Sequence, residues 1–127
     1  MLSLPSSVRI FVCREPADMR RSFDGLSAMV RDVIAADPMC GHLFCFFNKK
    51  RDRCKVLWWN RTGYWLLYTR LEKGRFSLAS IDQQCDVSPE VTSSELSLIL
   101  DGIDLHGARR RARYDDRRSS RKTTLVR

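Results

Sequence analysis

Short apolar segments separated by turn-forming residues dominate the middle of the chain. Three of them, 43–47, 54–59 and 64–69, are rich in Phe, Trp, Tyr and Val, which favour strands. A strongly charged turn at 48–53 lies between the first two, and the turn-forming stretch from Asn60 to Gly63 lies between the second and third. Segments this short with such turns between them predict a three-stranded antiparallel meander.

Before the meander, the apolar positions change from strand-like alternation to helical spacing. Val8, Ile10 and Val12 alternate with a second set of side chains, which predicts a first strand. Five apolar residues then follow at helical spacings and would lie on one face of a helix; they are Met19, Phe23, Leu26, Val30 and Val33. We expect Asp18 to cap this helix and the Phe23 ring to fill the core.

After the meander, residues 77–88 are polar and mixed, and they predict a loop with at most one short strand. A helix start follows, because Thr92 and Glu95 have the spacing of a reciprocal cap, with Val91 and Leu96 beside them as a hydrophobic staple. The order of strand, helix, meander, loop and C-terminal helix predicts the α+β class with a small antiparallel sheet.

Length and charge divide the chain near residue 105. The 127 residues suffice for one domain with its own core. Residues 106–127 hold nine basic and two acidic residues, a net charge of +7, whereas residues 1–105 carry only +1. The last segment also lacks large apolar residues before Leu125, so it cannot offset the entropy of ordering. We therefore predict a compact domain at 1–105 and a disordered basic tail at 106–127.

Neither a membrane nor an oxidising compartment is indicated. The chain has no run of 18 apolar residues, and its N-terminus lacks the pattern of a secretion signal. The five cysteines are odd in number and include no C-x-x-C pair, which is typical of reduced, buried thiols. The sequence therefore predicts a cytoplasmic protein without a metal or a cofactor. It gives no indication of an oligomeric state.

Basic residues are concentrated in the turn before the second strand of the meander and in the tail. A two-stranded ribbon fits the DNA major groove, and Lys or Arg side chains at its tip can neutralise phosphates. A flexible arginine run binds polyanions without sequence preference. The predicted nucleic-acid contacts are Lys49, Lys50, Arg51, Arg53, Arg61, Arg109, Arg110, Arg111 and Arg113. Two simpler interpretations stay open, a solvated turn that protects a sheet edge and a solubilising tail.

A second set of residues could contact a phosphate or a protein partner: Arg20, Arg21, Trp58, Trp59 and Trp65. Neighbouring strand residues point to opposite faces, so Trp58 and Trp59 cannot both face the main core. An exposed indole can stack on a base or anchor a partner, unless helices bury both rings. Arg20 and Arg21 lie at the start of the first predicted helix, where anions are attracted, although Arg20 can instead pair with Asp24.

No catalytic constellation is recognisable in the sequence. The chain has no Ser-His-Asp set and no phosphate-binding glycine loop, and its two histidines, His42 and His106, are far apart in sequence. Glu15, Asp18 and Asp24 are clustered acids, but no strand-borne carboxylate accompanies them to form a metal-dependent nuclease site. The sequence therefore predicts that the protein is not an enzyme.

Three stretches resemble a known protein family: PADMRRSFDGLSAMV at 16–30, the segment from Asp37 to Phe76, and LILDGID at 98–104. The D-M-R-x-x-F-D-G-L signature and the G-H-L-F…R-D-R-x-K…L-E-x-G-R-F block are similar to those of the TnpB (Orf2-like) accessory proteins of the sixty-six family of bacterial insertion sequences. Cys54 departs from the aliphatic residue usual in that family. The resemblance implies a bacterial protein that assists transposition beside a separate, larger transposase, and it carries over no catalytic residue.

Two functions follow as hypotheses. In the first, the protein is a non-catalytic accessory factor that contacts the transposase complex and holds nearby DNA backbone. In the second, it is a nucleic-acid-binding regulator of the mobile element that acts independently of the transposase. Co-purification with the transposase would distinguish the two.

Overall fold

The computed structural model describes residues 7–101 and the backbone of two further pairs, 103–104 and 109–110. The strands are β1 (Ile10–Cys13), β2 (Leu43–Phe47), β3 (Arg53–Trp59), β4 (Tyr64–Arg70), β5 (Glu90–Val91), β6 (Ile103–Asp104) and β7 (Arg109–Arg110). The helices are α1 (Phe23–Met29), which continues as a π-helical segment (Val30–Ile34), α2 (Ala79–Asp82) and α3 (Ser93–Asp101). Most of the predicted tail, including Arg111 and Arg113, lies outside the described residues, so its disorder and the domain boundary at 105 stay predictions.

Five strands form one sheet in the order β4-β3-β2-β1-β5, and β6 pairs separately with β7. The predicted meander is confirmed, since β2–β3 and β3–β4 are both antiparallel. β1 lies parallel to β2, because α1 and its π-helical extension form the crossover between them. The α+β class is confirmed, and the parallel pair makes the sheet mixed, not purely antiparallel as predicted.

Alternation of side chains gives the sheet two apolar faces, each covered by helices. One face carries Leu43, Cys45 and Phe47 and packs against α2 and α3; we call it the α3 face. The other carries Phe44 and Phe46 and packs against α1; we call it the α1 face. All residues of β2 are buried, because this central strand has helices on both sides.

α1 begins later than the sequence predicts. The Asp18 carboxylate accepts hydrogen bonds from the Arg20 backbone N–H at 2.9 Å and from the Arg20 guanidinium at 2.7 Å, and so it holds a turn before the helix. The hydrogen bond from the Arg20 side chain is the main reason that the pKa of Asp18 falls to about 2. The helix begins at Phe23, and Ser22 before it makes no side-chain capping bond. The predicted cap is wrong, because the residues after Asp18 form a turn and the helix begins only at Phe23.

The late start of α1 also moves Phe23 out of the core. Phe23 lies in the first turn and is 42% exposed, whereas Leu26 and Val30 are 0% exposed. The fully buried stripe therefore begins at Leu26, about two turns after its predicted start at Met19. The expectation that the Phe23 ring fills the core is wrong, because the helix that would have directed it inward has not yet formed one full turn there.

The predicted start of the C-terminal helix is confirmed. The Glu95 N–H donates to Thr92 Oγ1 at 3.0 Å, and the Thr92 N–H donates to Glu95 Oε1 at 2.8 Å. The segment 77–88 is not simply a loop, because it contains the short helix α2, whose Ile81 packs in the core of the α3 face. The polar composition of residues 77–88 gives no indication of this helix.

Candidate nucleic-acid and partner interface

The β2–β3 turn is built around Asn48. Its side-chain oxygen accepts hydrogen bonds from the backbone N–H groups of Asp52 and Arg53, both at 3.0 Å. Its side-chain nitrogen donates to the Asp52 carboxylate at 2.7 Å, which lowers the pKa of Asp52. This network fixes the turn and leaves Lys49 and Lys50 exposed at its tip.

Of the four predicted cations in this turn, two have structural partners. Arg51 adopts the left-handed backbone conformation, with φ of 59°, and donates to both oxygens of Asp82 at 2.6 and 2.7 Å. This bidentate pair ties the turn to α2 and raises the pKa of Arg51. Arg53 donates to the Tyr68 hydroxyl at 3.2 Å. Lys49 and Lys50 have no hydrogen-bond or ion-pair partner among residues 7–101.

Arg61 does not join this turn. It lies in the β3–β4 turn, at the other end of β3, about 25 Å away at the usual rise per strand residue. Arg61 is exposed and has a positive φ of 86°, in a turn held by the Asn60 side chain. The structure therefore separates Arg61 from the other predicted strand cations.

Two arginines stand directly opposite each other on the α1 face. The register of β3 and β4 pairs Arg53 with Arg70, and both lie on the side of the sheet that carries Leu57 and Leu66. Like charges in opposed positions destabilise a sheet. Arg70 also forms an ion pair with Glu72 at 3.0 Å. Arg70 is not among the predicted contacts, because only the strand register brings it next to Arg53.

Lys55 is a second residue that sequence analysis missed. It is only 7% exposed, and its ammonium donates to the backbone carbonyl oxygens of Met19 at 2.8 Å and Arg21 at 2.6 Å. The same ammonium lies 4.7 Å from the centroid of the Tyr68 ring. Lys55 therefore fastens the segment before α1 onto the α1 face. A lysine in the middle of an apolar strand was the available signal.

The tether at Lys55 brings the two predicted arginines of the segment before α1 to the same face. Arg20 is bound to Asp18 and does not pair with Asp24. Arg21 donates to the carbonyl oxygen of Gly25 at 3.2 Å and lies against that glycine. We call the resulting group the basic cluster; it consists of Arg20, Arg21, Arg53, Lys55 and Arg70.

The three tryptophans have different environments. Trp58 packs against the core of the α3 face, and its indole N–H donates to the carbonyl oxygen of Gly41 at 3.1 Å. Trp59 points to the opposite face, as predicted, and meets the Tyr64 ring edge-on at 5.0 Å between centroids. Trp65 is half exposed and lies beside Leu67 on the edge strand β4. Trp65 is thus the most accessible indole of the predicted set.

The described residues contain no group of three His, Cys, Asp or Glu side chains arranged to hold a metal ion. Cys13, Cys45 and Cys54 are buried, and Cys40 and Cys85 are exposed. Burial raises the pKa of the Cys45 thiol to about 12, so this thiol is protonated and unreactive at neutral pH. Within the same part of the chain, no helix has the length and apolar character needed to cross a membrane.

Comparison with known proteins gives one family match and two curated relatives. A family model described as IS66 Orf2 like protein matches residues 8–110. The uncharacterized protein y4jC of Sinorhizobium fredii is 36% identical over 105 residues, which cover 82% of this chain and 86% of the relative. The uncharacterized protein y4hO of the same organism is 32% identical over 104 residues, which cover 82% of this chain and 88% of the relative. No solved structure matches the chain significantly.

Proposed function

The chain belongs to the IS66 Orf2-like protein family and is therefore an accessory protein of insertion-sequence transposition, and we propose that it holds DNA backbone beside the element's transposase. In this role it neither cuts nor joins DNA itself. The four arginines of the basic cluster and the exposed Lys49 and Lys50 contact phosphates, while Lys55 holds the cluster in place. The start of α1 contacts the transposase.

The proposed DNA contact rests on the opposed arginines Arg53 and Arg70. Glu72 already neutralises Arg70 in part, and a phosphate placed between the two arginines would offset the repulsion that remains. Arginine matches the charge and geometry of phosphate oxygens with two parallel donors. Lys55 holds Arg20 and Arg21 beside this pair, and Lys49 and Lys50 extend the positive surface around the end of the sheet.

The proposed contact with the transposase rests on Phe23. The residue lies in the stretch that resembles the family signature, yet its ring is exposed and contributes little to the core. Arg20, three residues before it along the chain, is also exposed. Aromatic and arginine side chains are enriched at the anchoring positions of protein interfaces.

Transposition of a complete element in bacterial cells tests the DNA contact. The double variant Arg53→Gln/Arg70→Gln should transpose far less often than wild type, because two phosphate contacts are lost. A control, Arg9→Gln/Arg31→Gln, removes the same charge at the other end of the sheet and should transpose normally. Equal transposition by both double variants at equal protein levels would refute the role of the basic cluster.

Co-purification tests the transposase contact. Tagged wild-type protein should retain the transposase from cells that carry the element, and Phe23→Asp should lose it while it stays folded. Met39→Asp changes another exposed apolar residue and should leave retention intact. If wild type binds DNA but never retains the transposase, the protein is instead a regulator that acts independently of it.

A further inference from the structure

The two edges of the sheet are protected very differently. The β5 edge has only two residues, begins after Pro89 and carries the charged Glu90. Short length, proline and charge are the usual means of preventing edge pairing. The β4 edge has seven residues, contains no proline, and has its one charged residue, Arg70, at the end. No described residue pairs with its outer side.

The hairpin determines which backbone groups of β4 point outward. The Asn60 N–H donates to the Gly63 carbonyl at 3.1 Å, and the Leu71 N–H donates to the Asp52 carbonyl at 2.7 Å. Hydrogen-bonded and non-bonded pairs alternate along an antiparallel ladder, so odd-numbered residues of β4 direct their N–H and C=O groups toward β3. The outward groups belong to Tyr64, Leu66, Tyr68 and Arg70.

We propose that this edge pairs with the β4 edge of a second copy of the chain, antiparallel and related by a two-fold axis at Leu67. This register places Leu66 opposite Tyr68 and Tyr64 opposite Arg70, so every outward backbone group of β4 meets a complementary group. About eight hydrogen bonds form, two for each of the four opposed pairs. The pairing uses the outward backbone groups of β4, whereas the proposed DNA contacts use side chains on the α1 face; Arg70 contributes its backbone to the first and its guanidinium to the second.

Side chains are compatible in the same register. On the α3 face, Leu67 meets Leu67 of the second copy, and Trp65 meets Thr69, which covers two apolar side chains that are now 42% and 50% exposed. Arg70 stands opposite an uncharged tyrosine, so no like charges are opposed along the strand.

Sedimentation velocity on the full-length protein tests the proposal. Wild type should be a dimer. Leu67→Lys places two like charges at the two-fold axis and should abolish the dimer, and Leu67→Glu should do the same. An equimolar mixture of these two variants should restore a dimer, because Lys then opposes Glu. The control Val87→Lys changes a residue that is 41% exposed, elsewhere on the surface, and should remain dimeric.

Three results would overturn the proposal: a monomeric wild type, a Leu67→Lys variant that stays dimeric, or a mixture of the Lys and Glu variants that stays monomeric although each is folded by circular dichroism. For a monomeric wild type, hydrogen exchange identifies what occupies the edge. Protected amides at Leu66 and Tyr68 would mean that another segment of the same chain covers it. Fast exchange at these amides would mean that the edge is open to a different protein.

Discussion

At the residue scale, Lys55 is a buried charge that holds the segment before α1 against the sheet. Its ammonium is satisfied by two backbone carbonyls and the face of one aromatic ring. A buried lysine without such partners would lower the stability of the fold, because nothing would offset the loss of its hydration. The arrangement makes the position of Arg20 and Arg21 depend on a residue of a neighbouring strand.

Lys55→Met should lower the free energy of unfolding by about 1–3 kcal/mol, because it leaves two buried carbonyls without a donor. Urea unfolding measures the change. Lys49→Met, at the exposed tip of the turn, should stay within about 0.5 kcal/mol of wild type. Equal stabilities for the two variants would show that Lys55 does not fasten the segment before α1.

Two positions on the predicted apolar stripe of α1 allow a second comparison between single residues. Leu26→Ala should cost about 2–5 kcal/mol, because it opens a cavity in a fully buried site. Phe23→Ala should cost less than about 1 kcal/mol, because the ring is exposed and its loss leaves no cavity. Thermal or urea unfolding of both variants measures the two losses of stability. A greater loss for Phe23→Ala would place that ring in the core after all.

At the scale of elements, the connection between the β2–β3 turn and α2 depends on one ion pair. Arg51 reaches Asp82 from a strained backbone position, and the hydrogen bond from Arg51 is the main reason that the pKa of Asp82 is lowered. A carboxylate whose pKa is lower in the folded state stabilises the fold above its unfolded pKa of about 3.9. That contribution is lost as the pH falls through the lowered folded pKa.

Asp82→Asn should therefore flatten the acid side of the stability profile. Between about pH 6 and pH 2, wild type should lose more unfolding free energy than the variant, because only wild type must protonate a paired carboxylate. Chemical unfolding at a series of pH values measures this difference. Asp32→Asn, which removes an exposed acid without an ion-pair partner among the described residues, should keep the wild-type profile. Parallel profiles for wild type and Asp82→Asn would contradict the role of the pair.

Elements with strong local signals were predictable, and elements defined by distant partners were not. The meander follows from aromatic segments between turns, and the start of α3 follows from Thr92 and Glu95. The parallel alignment of β1 with β2 carries no local signal, because the same alternating strand fits either direction. α1 was misplaced by a turn, because Asp18 resembles a cap in sequence but binds Arg20 in space.

At the scale of the whole molecule, the candidate site combines residues from three separated stretches of chain. Position along the chain groups Arg51 and Arg61 with Arg53. The fold commits Arg51 to Asp82 and puts Arg61 at the far end of β3. It brings Arg70 and Lys55 to Arg53 instead. Such groupings depend on strand register and packing, which cannot be derived from a single sequence.

The salt dependence of DNA binding is the sharpest test of DNA contact through the basic cluster. With about five phosphate contacts, the affinity of the full-length protein for random duplex DNA should fall with a log–log slope of about −4 to −5. Arg53→Gln/Arg70→Gln should make the slope shallower by about 2, since each phosphate contact contributes about 1. Arg9→Gln/Arg31→Gln, with the same net charge, should keep the wild-type slope. No binding by wild type at about 50 mM salt, or one common slope for both double variants, would contradict DNA contact through the basic cluster.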